Sequence, residues 1–503
     1  MIKITGKNYI AGEKSSKGNN KYYTYNPKTK QKSNIKVTDA TKKEINLAVK
    51  KAVDSFNKNR YISTKKLSNF LKETSNQIIK LDNQLLEVAK WETALSIQRL
   101  KNERERTCKQ LEMFADYIST EEHLEKIIDK KIPKKIDIRR FLIPIGPVVI
   151  FPASNFPFAF GTCGGDTASA LAAGCPVIIK THPSHPQTSE LFANAVYKSI
   201  EKTGLPNGFF SLIHGKNNEI SNILVTNDNV EAIGFTGSLT AGRKLYDLAS
   251  KRNKPIPVYA EMGSINPVFL TDKAIQNKKD KIAEMLTDSV TLGMGQFCTK
   301  PGVFFITEKS KDFIDIFIKK IKSRNPETML NKKISTGLIM LVNDIKKDKK
   351  VKLLIGGNKI DKINSFENTV FLTNSKNYIK NKNLHHELFG PIALFVLCKD
   401  FSEFIDIAKK LEGQLTSTIH LDKSDISDVE LLIKFLEKKV GRIIFNGVPT
   451  GVEVCHSMQH GGPYPATTAQ HTTSVGMQAV KRFLRPIAYQ NCPVDLLPIF
   501  LKK

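Results

Sequence analysis

Cys298 stands in Gly295-Gln296-Phe297-Cys298-Thr299, a glycine-flanked junction between a helical stretch and the apolar run that starts at Val303. A thiol attacks only as its thiolate, and backbone N–H donors at such a turn can both lower its pKa and hold an oxyanion. Two carboxylates are placed to serve it. Glu261 follows an apolar run and precedes Met262-Gly263-Ser264, while Glu387 lies between elements in His385-His386-Glu387-Leu388-Phe389-Gly390-Pro391. A carboxylate at the carboxyl edge of a sheet can act as general base or hold a ribose hydroxyl, and it can equally be a cap or an ion-pair partner. Asn155, in Pro152-Ala153-Ser154-Asn155-Phe156-Pro157, offers a neutral amide donor that suits an oxyanion or simply forms a turn.

Other residues suit an anionic ligand. Lys180 ends an apolar run, where open α/β sheets bind ligands. Gly234-Phe235-Thr236-Gly237-Ser238 closes another run and opens a helix whose free N–H groups suit a pyrophosphate, or whose Ser238 merely caps it. The G-x-G-x-x-G dinucleotide fingerprint is missing; the nearest string, Gly293-x-Gly295-x-x-Cys298, has Cys in the third glycine's place. His182 with His185, and Cys455 with His456 and His460, mimic metal-ligand spacing without completing a set, so no metal is expected. His460 is instead the candidate to stand beside the nucleophile and tune it.

These residues need a scaffold, and the hydrophobic pattern supplies one. Apolar runs at 148–151, 177–179, 209–213, 230–235 and 258–260 alternate with helical stretches at about 160–173, 188–202, 218–225 and 240–249. That alternation predicts a doubly wound parallel sheet. Helical spacing also covers 41–58, 64–94 and 97–117 ahead of it. A second α/β block follows, with a helix at 278–293 and strands at 303–306, 392–397, 417–420 and 442–445. The predicted organisation is a first domain from 1–133 and 152–264, a second from 265–465, and small oligomerisation or tail segments at 134–151 and 466–503.

The formal charge of +28 and pI near 9.6 raise the question of nucleic acid or an anionic membrane. The surplus consists of 65 Lys against 12 Arg, dispersed in short runs such as Lys130–Lys135 and Lys346–Lys350. Base and phosphate readers lean on Arg, so the pattern reads as solvated helix faces, with neither nucleic acid nor membrane as partner. Seven widely spaced cysteines without C-x-x-C point to a reducing, cytoplasmic setting. The uncharged stretch at 141–160 contains four prolines and is no spanning helix.

Taken together, Asn155 in Ser-Asn-Phe-Pro, Lys180 after Val-Ile-Ile, Phe-Thr-Gly-Ser at 235–238, Glu261-Met-Gly, Gly-Gln-Phe-Cys298 and Glu387-Leu-Phe-Gly-Pro occur in the order found in the aldehyde dehydrogenase superfamily, which the chain resembles over nearly its whole length. Glu261-Met-Gly-Ser-Ile-Asn-Pro departs from the commoner Glu-Leu-Gly-Gly. The string from Phe445 to Thr468, with Arg482-Phe-Leu-Arg-Pro-Ile-Ala-Tyr-Gln-Asn491, is similar to the 2-oxoglutarate semialdehyde (2,5-dioxovalerate) dehydrogenases. An NADP-dependent fatty aldehyde dehydrogenase group is a close relative and supplies the alternative substrate, a fatty or medium-chain aldehyde. A CoA-acylating semialdehyde dehydrogenase, whose members typically lack Glu at the 261 position, and a non-catalytic basic binding protein rank lower.

The resemblance implies an aldehyde dehydrogenase-like α/β fold: a Rossmann-type cofactor domain lacking the fingerprint, a second α/β catalytic domain and a small β oligomerisation element. It also implies NADP or NAD as cofactor and a homodimer or homotetramer. By the same resemblance Cys298 attacks the aldehyde, Asn155 and the Cys298 N–H hold the oxyanion, hydride passes to the nicotinamide, and Glu261 activates the water that hydrolyses the thioester. Lys180 and Glu387 would hold ribose hydroxyls and Ser238 a phosphate, with Thr236, Gly237 and Phe389 beside them. Lys216 is a candidate helper at a 2′-phosphate.

Overall fold

A short strand apolar on both faces can be buried only between two layers, and each of the predicted runs meets that condition. The computed structural model describes residues 1–58, 60–129 and 136–502. In the first sheet the order is Val258–Glu261, Ala232–Thr236, Val148–Phe151, Val177–Lys180, Phe210–Ile213, Asn8–Ile10 and Glu13–Ser15. The first five strands are parallel, and the last two add an antiparallel edge. Strand alternation divides the core in two. Val148, Ile150, Val177 and Ile179 face the helices Thr64–Ile79, Ile97–Ser119 and Pro186–Thr203, while Val149, Phe151, Ile178 and Phe235 face Lys42–Lys58, Asn218–Thr226 and Leu239–Ser250.

Strand order reverses between Val148–Phe151 and Ala232–Thr236, so a crevice opens at the carboxyl ends of these two strands. Asn155, Lys180, Thr236 and Glu261 all lie at this edge. Val148–Phe151, which the boundary at 151 grouped with the small segments, is central to this sheet.

The second sheet runs Lys352–Ile355, Thr369–Asn374, Ile392–Cys398, Val303–Thr307, Val268–Leu270, Gln414–His420 and Val440–Phe445, all parallel except the first. Val268–Leu270, Thr369–Asn374 and Lys352–Ile355 go beyond the expectation, because their short apolar runs are framed by Asn, Pro, Thr, Asp or Lys. A third sheet of three antiparallel strands pairs Ile138–Pro144 with Leu484–Gln490 over seven residues and with Ile127–Asp129. Lys130–Lys135 lies outside the described residues, as do the first two residues of the 134–151 segment.

Three helices differ from expectation for local reasons. The stretch 64–94 breaks into Thr64–Ile79 and Asp82–Thr93, with Asp82 at a positive φ of 43°. The helix expected at 278–293 starts at Asp272, capped by Thr271, and Lys278 marks an internal kink. The helix expected at 160–173 is confined to Gly165–Ala172. No helix among the described residues is long and apolar enough to cross a membrane.

Arg482 ties the chain's last segment to the first sheet. Its Nη1 donates to Asp166 Oδ1 at 2.8 Å, its Nε donates to Thr472 Oγ1 at 3.1 Å, and both charged side chains are almost fully buried. Removing one partner leaves a buried charge uncompensated, at about 3–5 kcal/mol. Arg482→Ala should therefore lower the thermal and denaturant midpoints strongly, while Arg482→Met combined with Asp166→Leu loses less. A single variant with an unchanged midpoint would contradict this.

Candidate active site

The turn carrying Asn155 is clamped by the helix Ile97–Ser119. Glu103 Oε1 accepts the N–H groups of Phe158 and Ala159 at 2.8 and 3.0 Å. Arg99 donates to the Asn155 carbonyl at 2.7 Å and stacks over the rings of Phe156 and Phe297. The Asn155 amide then donates to the Gln296 carbonyl at 3.0 Å, two residues before Cys298. At the junction itself Gly293, Met294 and Gly295 all have positive φ. A Cβ on Gly295 would lie 2.2 Å from the Gly390 carbonyl oxygen, so only glycine fits. Asn266 holds the other side, donating to the carbonyls of Cys298 and Lys300 at 2.8 and 3.0 Å while its Oδ1 accepts from Ser264 and Thr416.

Cys298 Sγ lies 3.6 Å from His460 Nε2, and His460 Nε2 lies 2.9 Å from Glu261 Oε1. Ser474 Oγ donates to Glu261 Oε2 at 2.7 Å. His460 Nδ1 is buried with no partner among the described residues, so the ring proton is best placed on Nε2, where the Glu261 carboxylate accepts it. In that tautomer His460 is a donor and not a base for the thiol; Glu261 is the base in reach. Burial works to raise the Glu261 carboxyl, but His460, Ser474 and the charge of Arg482 bring it below the usual carboxylate range. The thiol moves the other way. Burial first, then Glu261 and Glu387, hold Cys298 well above the ordinary thiol range against the pull of Arg106. This corrects the expectation of a turn-lowered pKa: burial, reinforced by the nearby carboxylates, outweighs the junction's backbone donors.

The remaining predicted residues surround this centre at two distances. Thr236 is in register with Glu261, and the Gly237 N–H donates to the Glu261 carbonyl at 3.0 Å. Ser238 caps the helix Leu239–Ser250 by accepting from Ala241, which leaves its hydroxyl proton free to donate. Glu387 packs against Gly263, where a Cβ would lie 2.8 Å from its Oε2, and Phe389 is half-buried two residues on. Lys180 stands apart, two strands beyond Ala232–Thr236, where burial lowers it to about 8 against the pull of Asp39. The Lys216 N–H donates to that same Asp39. The phosphates of a dinucleotide fit this edge: the Thr236–Ser238 turn is open, and the N-terminus of Leu239–Ser250 lies at it.

His182 and His185 are stacked and shifted below their usual range by burial, and Cys455 and His456 are exposed. Neither spacing builds a ligand set. The one group of three whose ligand atoms lie within 4.8 Å of one another, among the described residues, is Glu261, Cys298 and His460. Sequence reasoning missed Ser474, Asn266 and Lys300. Lys300, buried beside Glu387 and donating to the Ile392 carbonyl at 3.0 Å, is lowered by burial. Its only signal was a position two residues after the nucleophile.

The aldehyde dehydrogenase family model matches residues 14–479. The chain belongs to the aldehyde dehydrogenase family. It is 37% identical to the alpha-ketoglutaric semialdehyde dehydrogenase of Acinetobacter baylyi, covering 100% of this chain and 97% of that one. It is 40% identical to alpha-ketoglutaric semialdehyde dehydrogenase 2 of Azospirillum brasilense, over 91% and 89%. Among solved structures the aldehyde dehydrogenase KauB of Pseudomonas aeruginosa matches with a TM-score of 0.85 at 20% identity, over 97% of each chain. Family membership makes the chain an NAD(P)-dependent oxidoreductase acting on aldehydes.

The raised thiol gives a signed prediction. Iodoacetamide labelling of Cys298, taken as the difference from Cys298→Ala, should be slow at neutral pH and still accelerating above about pH 9, beyond an ordinary thiol. Glu261→Gln removes the nearest negative charge and should shift the labelling curve to lower pH. A rate flat across this range, or an unshifted curve in Glu261→Gln, would show that the carboxylate does not control the thiol.

Proposed function

We propose that the chain oxidises an aldehyde bearing a carboxylate, with 2-oxoglutarate semialdehyde (2,5-dioxovalerate) as first choice, to the corresponding acid. The chemistry rests on one observation, a buried Glu261 held by His460 and Ser474 next to the Cys298 thiol. The substrate rests on the names of two relatives at 37% and 40% identity.

In this reading Glu261 takes the thiol proton as Cys298 attacks the aldehyde carbon, since a separate thiolate beside a carboxylate is disfavoured. The oxyanion that forms meets the Asn155 amide and the Cys298 N–H. NAD or NADP, held along the carboxyl edge by Lys180, Ser238, Glu387 and their neighbours, supplies the hydride acceptor. After giving the thiol proton up to solvent, Glu261 takes a proton from the water that hydrolyses the thioester, which frees the acid and returns the Cys298 thiol. The two fixed donors of Glu261 keep it aimed at the nucleophile and ionised between steps. The first sheet serves the dinucleotide and the second carries the nucleophile, with the 134–151 and 466–503 segments for assembly. Val494, Leu496 and Ile499, exposed near the three-stranded sheet, support a homodimer or homotetramer. A cytoplasmic setting completes the reading.

Turnover of 2,5-dioxovalerate without CoA, at a higher kcat/KM than succinic semialdehyde or a long-chain aldehyde, is the expected result. An absolute CoA requirement, or preference for the long chain, would overturn it. Cys298→Ala should lose turnover by at least about a thousandfold while still binding dinucleotide. Glu261→Gln should slow both the burst of NAD(P)H and the steady-state rate, the steady state more, because Glu261 serves both the attack and the hydrolysis.

A further inference from the structure

Two arginines near Cys298 make no ion pair among the described residues. Arg106 projects from the helix Ile97–Ser119 and Arg442 from the strand Val440–Phe445. Both reach the loop that leads to His460. Arg106 donates through Nη1 to the Val452 carbonyl, and Arg442 donates through Nη2 to the Pro449 carbonyl at 2.9 Å, with its Nη1 3.9 Å from Met458 Sδ. The Nε–H of each is buried without a hydrogen-bond partner among the described residues. Arg139, Arg243, Arg324 and Arg482 each pair with a carboxylate, whereas neither Arg106 nor Arg442 does among the described residues.

The neighbouring acids Glu103 and Glu453 act on Arg106 through their charge without forming an ion pair with it. Glu103, three residues before Arg106, directs Oε1 to the N–H groups of Phe158 and Ala159. Glu453 is exposed on the loop. Both guanidiniums lie close enough to Cys298 to feel its charge, and burial lowers the pKa of both. A half-buried guanidinium whose Nε–H has no partner can still take an anion, and its planar fork matches a carboxylate.

We propose that Arg106 and Arg442 form the subsite that receives the substrate's carboxylate and sets its aldehyde carbon at Cys298. The inference rests on the proposed carboxylate-bearing substrate and names the residues that select it. The rival role for both arginines is to pin the 449–458 loop through its carbonyls, which would affect every substrate alike.

The test compares kcat/KM for 2,5-dioxovalerate and for pentanal, a neutral aldehyde of equal chain length, in wild type, Arg106→Met and Arg442→Met. Each variant should lose about ten- to hundredfold more on 2,5-dioxovalerate than on pentanal, mostly in KM. Arg106→Met should also lose a share common to both aldehydes, because it removes a positive charge that pulls the Cys298 thiol down. Inhibition by the product 2-oxoglutarate should weaken in parallel. Arg→Lys variants keep the charge and the loop but lose the fork, so an intermediate loss confined to 2,5-dioxovalerate is expected even if a Met variant folds poorly. Equal losses on both aldehydes, or none on 2,5-dioxovalerate, would overturn the subsite while leaving the proposed reaction standing. A wild type that prefers pentanal would overturn the substrate reading itself, and the subsite with it.

Discussion

A carboxylate stripped of water must be given donors, and Glu261 receives them from far along the chain. His460 and Ser474 supply one each, at 2.9 and 2.7 Å, and Arg482 adds a positive charge through the pair with Asp166. Those three residues belong to one segment that folds back over the open edge of the first sheet. The Met262 N–H donates to the Ala466 carbonyl, the Thr468 N–H to the Ala260 carbonyl, and Glu261 forms a bridge with Thr467. The segment therefore closes a strand edge and charges the active-site acid in one arrangement. Without it Glu261 would be a buried acid raised by desolvation, protonated when a base is needed.

The nucleophile is set by a different logic. Cys298 lies thirty-seven residues beyond Glu261 in the chain, and its position is over-determined by Asn266 on one side and by the Asn155–Gln296 hydrogen bond on the other. Both asparagines are fixed by neighbours in turn, Asn266 by Ser264 and Thr416, and Asn155 by Arg99. The junction sits where the first sheet's carboxyl edge meets the second sheet, and hydrogen bonds cross from each. Placement on such elements tolerates little drift, which reactions that depend on orientation require.

The first sheet is legible in the sequence because its strands are buried on both faces, and a continuous apolar run between helical stretches fits almost nowhere but inside a sheet. Val268–Leu270 and Thr369–Asn374 are hard to see, since three apolar residues framed by Asn, Pro, Thr and Asp match a loop as well as a strand. The motif residues Cys298, Glu261, Asn155 and His460 are visible by type and context. Ser474 and Arg482 are not, because their meaning comes from a fold-back of more than two hundred residues. The direction of the thiol shift is hidden for the same reason. Local backbone donors can be read from a glycine-rich string, whereas a carboxylate arriving from another strand cannot.

Fold also changes what the surplus charge means. Among the described residues only Lys180, Arg252, Lys300 and Arg482 are buried cations, out of 77 Lys and Arg in the chain. Each has a specific neighbour: Asp39, the Val230 and Asn227 carbonyls, Glu387 or Asp166. Most lysine ion pairs among the described residues instead join partners exposed enough to be screened and worth little. A uniformly cationic surface gives no direction to a ligand, because its field has no preferred patch. Direction comes from cations held at fixed places, the four buried ones and the half-buried Arg106 and Arg442 near Cys298. The net charge and the active-site charges are thus separate properties of the chain.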